Sequence, residues 1–150
     1  MSRAGCPAHP FSDGQGMEFS KVAVLGGGLL GGSVALALRD RVHCTLWARR
    51  RETVEEAAAA GVRRATGELA EAVAGADLVI LAVPVGAMPQ LLRDAVDAGL
   101  GRGAVVSDVG SVKGVVHRAL GPIAREAGVS YIGGHPMAGS ERKGFEAASA

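Results

Sequence analysis

Lys21-Val22-Ala23-Val24-Leu25-Gly26-Gly27-Gly28-Leu29-Leu30-Gly31 is the stretch whose reading decides the fold. A short apolar run leads into G-x-G-x-x-G, and an Ala/Leu-rich helical stretch follows from Leu29 to Arg39. Strand, glycine loop and helix in that order form the dinucleotide-binding fingerprint in the context it requires. Each glycine has a separate task. Gly26 turns the chain sharply out of the strand, Gly28 lets backbone amides approach a pyrophosphate, and Gly31 lets the helix lie close to the sheet. The helix start at Leu29 and Leu30 turns unpaired N–H groups and a positive dipole end towards the phosphates. In a chain with 23 glycines the spacing alone says little; the strand before and the helix after give it meaning.

Outward from the loop, short apolar runs alternate with helical stretches, the pattern of βαβ units and a parallel sheet. Val42–Trp47 reads as a second strand, Arg51–Ala60 as a helix stopped by Gly61, and Val62–Ala65 as a third strand. Glu68–Ala74 is helical and closed by Gly75. Leu78–Val83 is the most continuous apolar run, as a central strand buried on both faces would be. Pro84 ends it, Val85–Ala98 returns as an amphipathic helix, and Ala104–Ser107, Val112–Ala127 and Val129–Ile132 complete strand, helix and strand. The expected fold class is α/β: a Rossmann-type, doubly wound, mainly parallel sheet over residues 21–150, preceded by a disordered tail over 1–20.

Length and composition bound the rest. The 150 residues have room for one domain with a real core, which must be built from Ala, Val, Leu and Ile because aromatic residues are only 3%. A net charge of +1 offers no basic face for nucleic acid. No apolar run reaches the roughly 18 residues that would span a bilayer. The tail carries Pro7, Pro10, Gly14 and Gly16 without a hydrophobic segment, so it is not a signal peptide, and Met17 offers an alternative start. Cys6 falls in that tail and Cys44 in a strand, so no disulfide is expected between them, which fits a reducing cytoplasm. No metal site is expected.

In a doubly wound sheet, ligands bind beyond the carboxyl ends of the strands. Four unusual segments fall there: Gly26–Gly31, Val83-Pro84-Val85, Asp108-Val109-Gly110-Ser111-Val112-Lys113 and Gly133-Gly134-His135-Pro136. About 20 positions past the glycines, where NAD-preferring domains carry Asp or Glu on the adenosine ribose, this chain has Ala48-Arg49-Arg50-Arg51. A guanidinium offers a planar pair of donors suited to phosphate, so Arg49 and Arg50 favour NADP over NAD. The plainer alternative is a solvated start to the next helix. His135 is the histidine at a strand end on the nucleotide side, whereas His9, His43 and His117 read as surface or core residues. Ser111 is either a helix N-cap or a substrate contact, and the two roles are compatible.

Gly134-His135-Pro136-Met137-Ala138-Gly139-Ser140-Glu141, with Ser107-Asp108-Val109-Gly110-Ser111-Val112-Lys113 upstream, resembles the prephenate/arogenate dehydrogenase family of tyrosine biosynthesis. The resemblance covers about Lys21 to Phe145, and its His-Pro-(apolar)-Ala-Gly-Ser-Glu stretch is far more specific than the glycine loop. It implies oxidative decarboxylation of prephenate to 4-hydroxyphenylpyruvate, or of arogenate to tyrosine. It places the catalytic histidine on His135, which takes the proton of the substrate hydroxyl, and the active-site serine on Ser111. Ser140 and Glu141 would line the substrate pocket; Val83, Pro84 and Asp108 would contact the cofactor.

Many relatives carry Asp where Arg49 stands, a departure that favours NADP. Family members also continue into a helical second domain that dimerises and supplies cationic groups to the substrate. This chain ends before it, so it is expected to be an N-terminal fragment, inactive alone and only marginally stable. Two other readings stay open. One is a module that binds NADP without turnover; the other is another small-substrate dehydrogenase or imine reductase of related architecture.

Overall fold

The computed structural model of the chain describes residues 18–134, 144–145 and 148–149. Six strands form one sheet: β1 (Lys21–Leu25), β2 (His43–Trp47), β3 (Ala65–Thr66), β4 (Leu78–Leu81), β5 (Val105–Asp108) and β6 (Ser130–Ile132). The helices are α1 (Leu29–Leu38), α2 (Arg51–Ala59), α3 (Leu69–Val73), α4 (Met88–Asp97) and α5 (Lys113–Ala127). Every strand pair is parallel, and the order is β3-β2-β1-β4-β5-β6. That is the Rossmann order, with the direction of winding reversing between β1 and β4. The crevice of the sheet opens at that reversal, just past Leu25 and Leu81.

Alternation along the strands divides the core into two layers. Val22, Val24 and Leu46 face α1 and α2 and pack with Ala35, Leu36 and Ala57. Ala23, Leu25, Val79, Leu81 and Val106 face the other way, onto Val73, Leu92, Val116 and Leu120 from α3, α4 and α5. Aliphatic residues dominate both layers, as the scarcity of aromatics requires. Phe145 adds a ring to the first layer, packed against α1 and 5% exposed. At the amino ends of the strands, Asp77 accepts hydrogen bonds from the Ser20 amide (2.9 Å), the Ser20 hydroxyl (2.9 Å) and the Lys21 amide (3.0 Å). These fasten the start of β1 to the start of β4.

Among the expected boundaries that move, three bear on the packing and the cleft. The third strand is Ala65–Thr66 rather than Val62–Ala65. Gly61 and Val62 instead close α2: the Gly61 amide donates to Ala58 O and the Val62 amide to Ala57 O. These are the paired bonds of a Schellman motif, with Gly61 at φ 96°. Val62 is thereby carried into the core rather than onto the sheet, and pairing begins at Leu46 with Ala65. The expected helix from Val85 begins as a 3-10 turn over Val85–Ala87, and α4 proper starts at Met88. Pro89 in its first turn has no N–H to give and is preset for a helix start. β4 ends at Leu81, although the Ala82 amide still donates to Leu25 O at 2.8 Å. Among the described residues, no helix is long and apolar enough to cross a membrane.

Candidate active site

The glycine loop is shaped by contacts that exclude side chains. Gly26 has φ 125°, and a Cβ on it would run into the carbonyl oxygen of Ala82. A Cβ on Gly31 would strike the carbonyl oxygen of Gly26 and approach Ala82 Cβ at 2.9 Å, so helix, loop and the end of β4 stack without spacers. Around Gly28 there is no heavy atom within 4 Å of the Cβ position. Gly27, outside the fingerprint's spacing, has its own reason: a Cβ there would lie 2.5 Å from the Thr53 methyl of α2.

Gly28 is the N-cap of α1 in an extended conformation; no side chain caps the helix, and its first turn holds no acidic residue. The amides of the first turn are therefore not claimed by any side chain, and the space beside Gly28 is open to an anion. This terminus stands at the floor of a cleft of about 680 Å³. Trp47, Ala48, Arg49, Arg50 and Thr53 form one wall, at the exit of β2. Ala82, Val83 and Pro84 after β4, with Gln90, Leu91 and Asp94 of α4, form the other. The Trp47 indole N–H donates to Gly67 O at 3.0 Å, which fixes the ring at the cleft side. Of the three consecutive arginines, Arg51 turns to Glu55 (2.7 Å) on the outer surface of α2. Arg49 and Arg50 are the ones presented to the cleft.

The expected site residues divide into distinct groups. Gly26, Gly28, Arg49, Arg50, Val83 and Pro84 line the cleft together. Leu29, Leu30 and Gly31 form the first turn of α1 beneath it. Asp108, expected at the cofactor, is instead 2% exposed and turned into the fold. Its carboxylate accepts the Gly110 amide (2.7 Å) and the Tyr131 hydroxyl (2.6 Å), which joins the ends of β5 and β6. Burial, with the hydrogen bond to and charge of Asp108, pushes the Tyr131 phenol well above its ordinary pKa. Gly134 is pressed onto the same place, since a Cβ there would lie 2.5 Å from Asp108 O. Ser111 is exposed and does not line the cleft. The N-cap of α5 is Val112, not Ser111, and no side-chain bond caps that helix. His135, Ser140 and Glu141 lie outside the described residues.

The residues missed from the sequence are those of the α4 wall. Gln90, Leu91 and Asp94 look like an ordinary amphipathic helix until β2 and β4 are placed on either side of β1. Cys44 is buried in β2, and burial pushes its thiol up to about 11, so it is chemically quiet. Among the described residues, no group of His, Cys, Asp and Glu could hold a metal ion.

Residues 34–150 match the family model of the prephenate dehydrogenase nucleotide-binding domain. The chain is 34% identical over 130 residues to a prephenate dehydrogenase of Lactococcus lactis subsp. cremoris, covering 85% of this chain and 37% of that protein. It superposes with a TM-score of 0.76 and 27% identity on prephenate dehydrogenase from Aquifex aeolicus in complex with hydroxyphenyl propionate and NAD+, covering 90% of this chain and 48% of that one. Arogenate dehydrogenase of Synechocystis superposes with a TM-score of 0.69 at 29% identity, covering 86% and 45%. The chain thus spans less than half the length of each of these relatives.

Proposed function

The chain belongs to the prephenate dehydrogenase family, and from that premise we propose that it carries the nucleotide half of an enzyme that oxidatively decarboxylates prephenate or arogenate with a nicotinamide dinucleotide. The observation that carries the proposal is the floor of the cleft. An uncapped α1 terminus, an open Gly28 and two cleft-facing arginines stand at the winding reversal of a Rossmann sheet. The donor set fits the cofactor: backbone amides for the pyrophosphate, and apolar Val83 and Pro84 beside it. Arg49 and Arg50 stand where the adenosine ribose comes to rest, and we assign them to a 2′-phosphate, hence to NADP over NAD.

When bound, the dinucleotide supplies an acceptor for the hydride that leaves the substrate's hydroxyl-bearing ring carbon. The ring carboxylate departs as CO2, and its bonding pair completes the aromatic ring. His135, as a neutral imidazole, takes the hydroxyl proton as the carbonyl develops, so turnover falls as His135 becomes protonated. By the family resemblance, Ser111 takes the role of the active-site serine toward the substrate hydroxyl, and Ser140 and Glu141 take the role of substrate contacts. In the whole protein this reading includes a cytoplasmic homodimer built through a further domain.

The test is reduction of NADP+ and NAD+ in the presence of prephenate or arogenate, alongside calorimetric titration of both dinucleotides. In the whole protein, His135→Asn is expected to lower kcat by about 100-fold or more while dinucleotide affinity holds; undiminished turnover would remove His135 from the mechanism. Arg49→Asp is expected to weaken NADP+ more than NAD+, and equal binding of both by the native chain would remove the NADP assignment. Dinucleotide binding without substrate-dependent reduction would restrict the chain to a binding module.

A further inference from the structure

The α4 wall of the cleft has no part in the roles above, yet it closes the end where the base of a dinucleotide must lie. With the pyrophosphate at the α1 terminus and the ribose at Arg49 and Arg50, the base comes to rest across from the arginines, against α4. Pro84, Leu69 and Leu91 offer apolar surfaces there, and Gln90 and Asp94 are the polar groups on that wall. Gln90 and Asp94 sit one helical turn apart, and Gln90 Nε2 donates to Asp94 Oδ1 at 2.8 Å. That bond orients the carboxylate and occupies one of its oxygens. Among the described residues, Asp94 Oδ2 and Gln90 Oε1 are not engaged by a donor of the chain, so the rim of the apolar slot presents a charged acceptor in Asp94 beside the amide of Gln90. A purine with an exocyclic amine matches that rim, whereas one with a carbonyl at the same position sets oxygen against carboxylate.

We propose that Asp94, oriented by Gln90, reads the exocyclic amine of the base and makes the cleft selective for adenine over hypoxanthine dinucleotides. The proposal rests on the dinucleotide reading of the cleft. Both residues are exposed on α4, so their substitution leaves the core intact, and a thermal melt of each variant confirms it.

The experiment is titration of the chain with NADP+ and with nicotinamide hypoxanthine dinucleotide phosphate, followed by calorimetry and by the fluorescence of Trp47, the single tryptophan, which lies in the facing wall. The native chain is expected to prefer NADP+ by about tenfold or more, the worth of one hydrogen bond to a charged group. Asp94→Asn, whose amide can donate to a carbonyl, should bring the two affinities together, and Gln90→Ala should narrow the gap less. An unchanged preference in Asp94→Asn, or equal binding of both dinucleotides by the native chain, overturns this proposal alone. Failure of the native chain to bind either dinucleotide overturns the cofactor reading with it.

Discussion

Asp77 and Tyr131 sit at opposite ends of the sheet, and their proton equilibria move in opposite directions. Burial alone would raise the Asp77 carboxyl, but the donors from Ser20 and Lys21 outweigh it and hold the group below its ordinary value. A lowered carboxyl pKa contributes stability that is present above the unfolded value and lost as pH falls through the folded one. Asp77→Asn should therefore destabilise the chain by about 1 kcal/mol near neutrality, the site being partly open to solvent. The difference should shrink as pH falls below the ordinary carboxylate range and through the lowered folded value of Asp77; melts of the two proteins at neutral pH and along an acid series check it. Tyr131 is raised, so its contribution is complete below the unfolded tyrosine value and is lost as pH climbs beyond about 10. Tyr131→Phe withdraws a donor from a buried carboxylate and should cost about 1–3 kcal/mol in denaturant unfolding at neutral pH. It should also remove the tyrosine part of the decline at alkaline pH. The type of Asp108 was legible in its motif; its inward direction was not, because the partner that holds it lies 23 positions away on another strand.

At the scale of elements, neighbouring glycines at the start of α1 do different work. A Cβ on Gly31 meets the backbone of Gly26, which cannot yield without opening the loop. A Cβ on Gly32 meets the Phe145 ring at 2.7 Å and Ala148 Cβ at 2.8 Å, both at the far end of the chain. Gly31→Ala should thus weaken dinucleotide binding by more than about tenfold. Gly32→Ala should leave the affinity within about threefold but lower stability by about 1–3 kcal/mol, as overpacking does. Calorimetric titration and denaturant unfolding of the two variants separate these effects, and equal loss of affinity in both would refute the distinction. The element pattern itself was readable, since period and glycine punctuation are local properties. The third strand was misplaced because Val62 closes α2 through bonds to Ala57, and a short apolar run does not reveal which neighbour its first residue serves.

For the whole molecule, the decisive fact is the order β3-β2-β1-β4-β5-β6, which sets the β1 and β4 exits side by side and makes one cleft of segments distant in sequence. A ligand that binds only the folded state adds to stability by mass action. At 100 times its dissociation constant, NADP+ should stabilise the chain by about 2.7 kcal/mol, raising Tm by roughly 5–10 °C; scanning calorimetry with and without it decides. Among the described residues, the large apolar side chains left exposed are Val112 and Val115 at the start of α5, at 52% and 48%, and Ile132 of the edge strand β6, at 57%.

By itself the sequence determined the α/β class, the parallel sheet, the fingerprint glycine loop and the family motif. These are written in runs of adjacent residues, where side-chain period, glycine spacing and helix termini act over a few positions. Tertiary structure alone decided that Arg49 and Arg50 face the cleft while Arg51 turns to Glu55, that Asp108 binds Tyr131, that Phe145 packs on Gly32, and that Gln90 and Asp94 close the far wall. Each of those depends on which elements the sheet order sets beside one another, and that choice is made by burial of apolar surface summed over the whole fold rather than by any local signal.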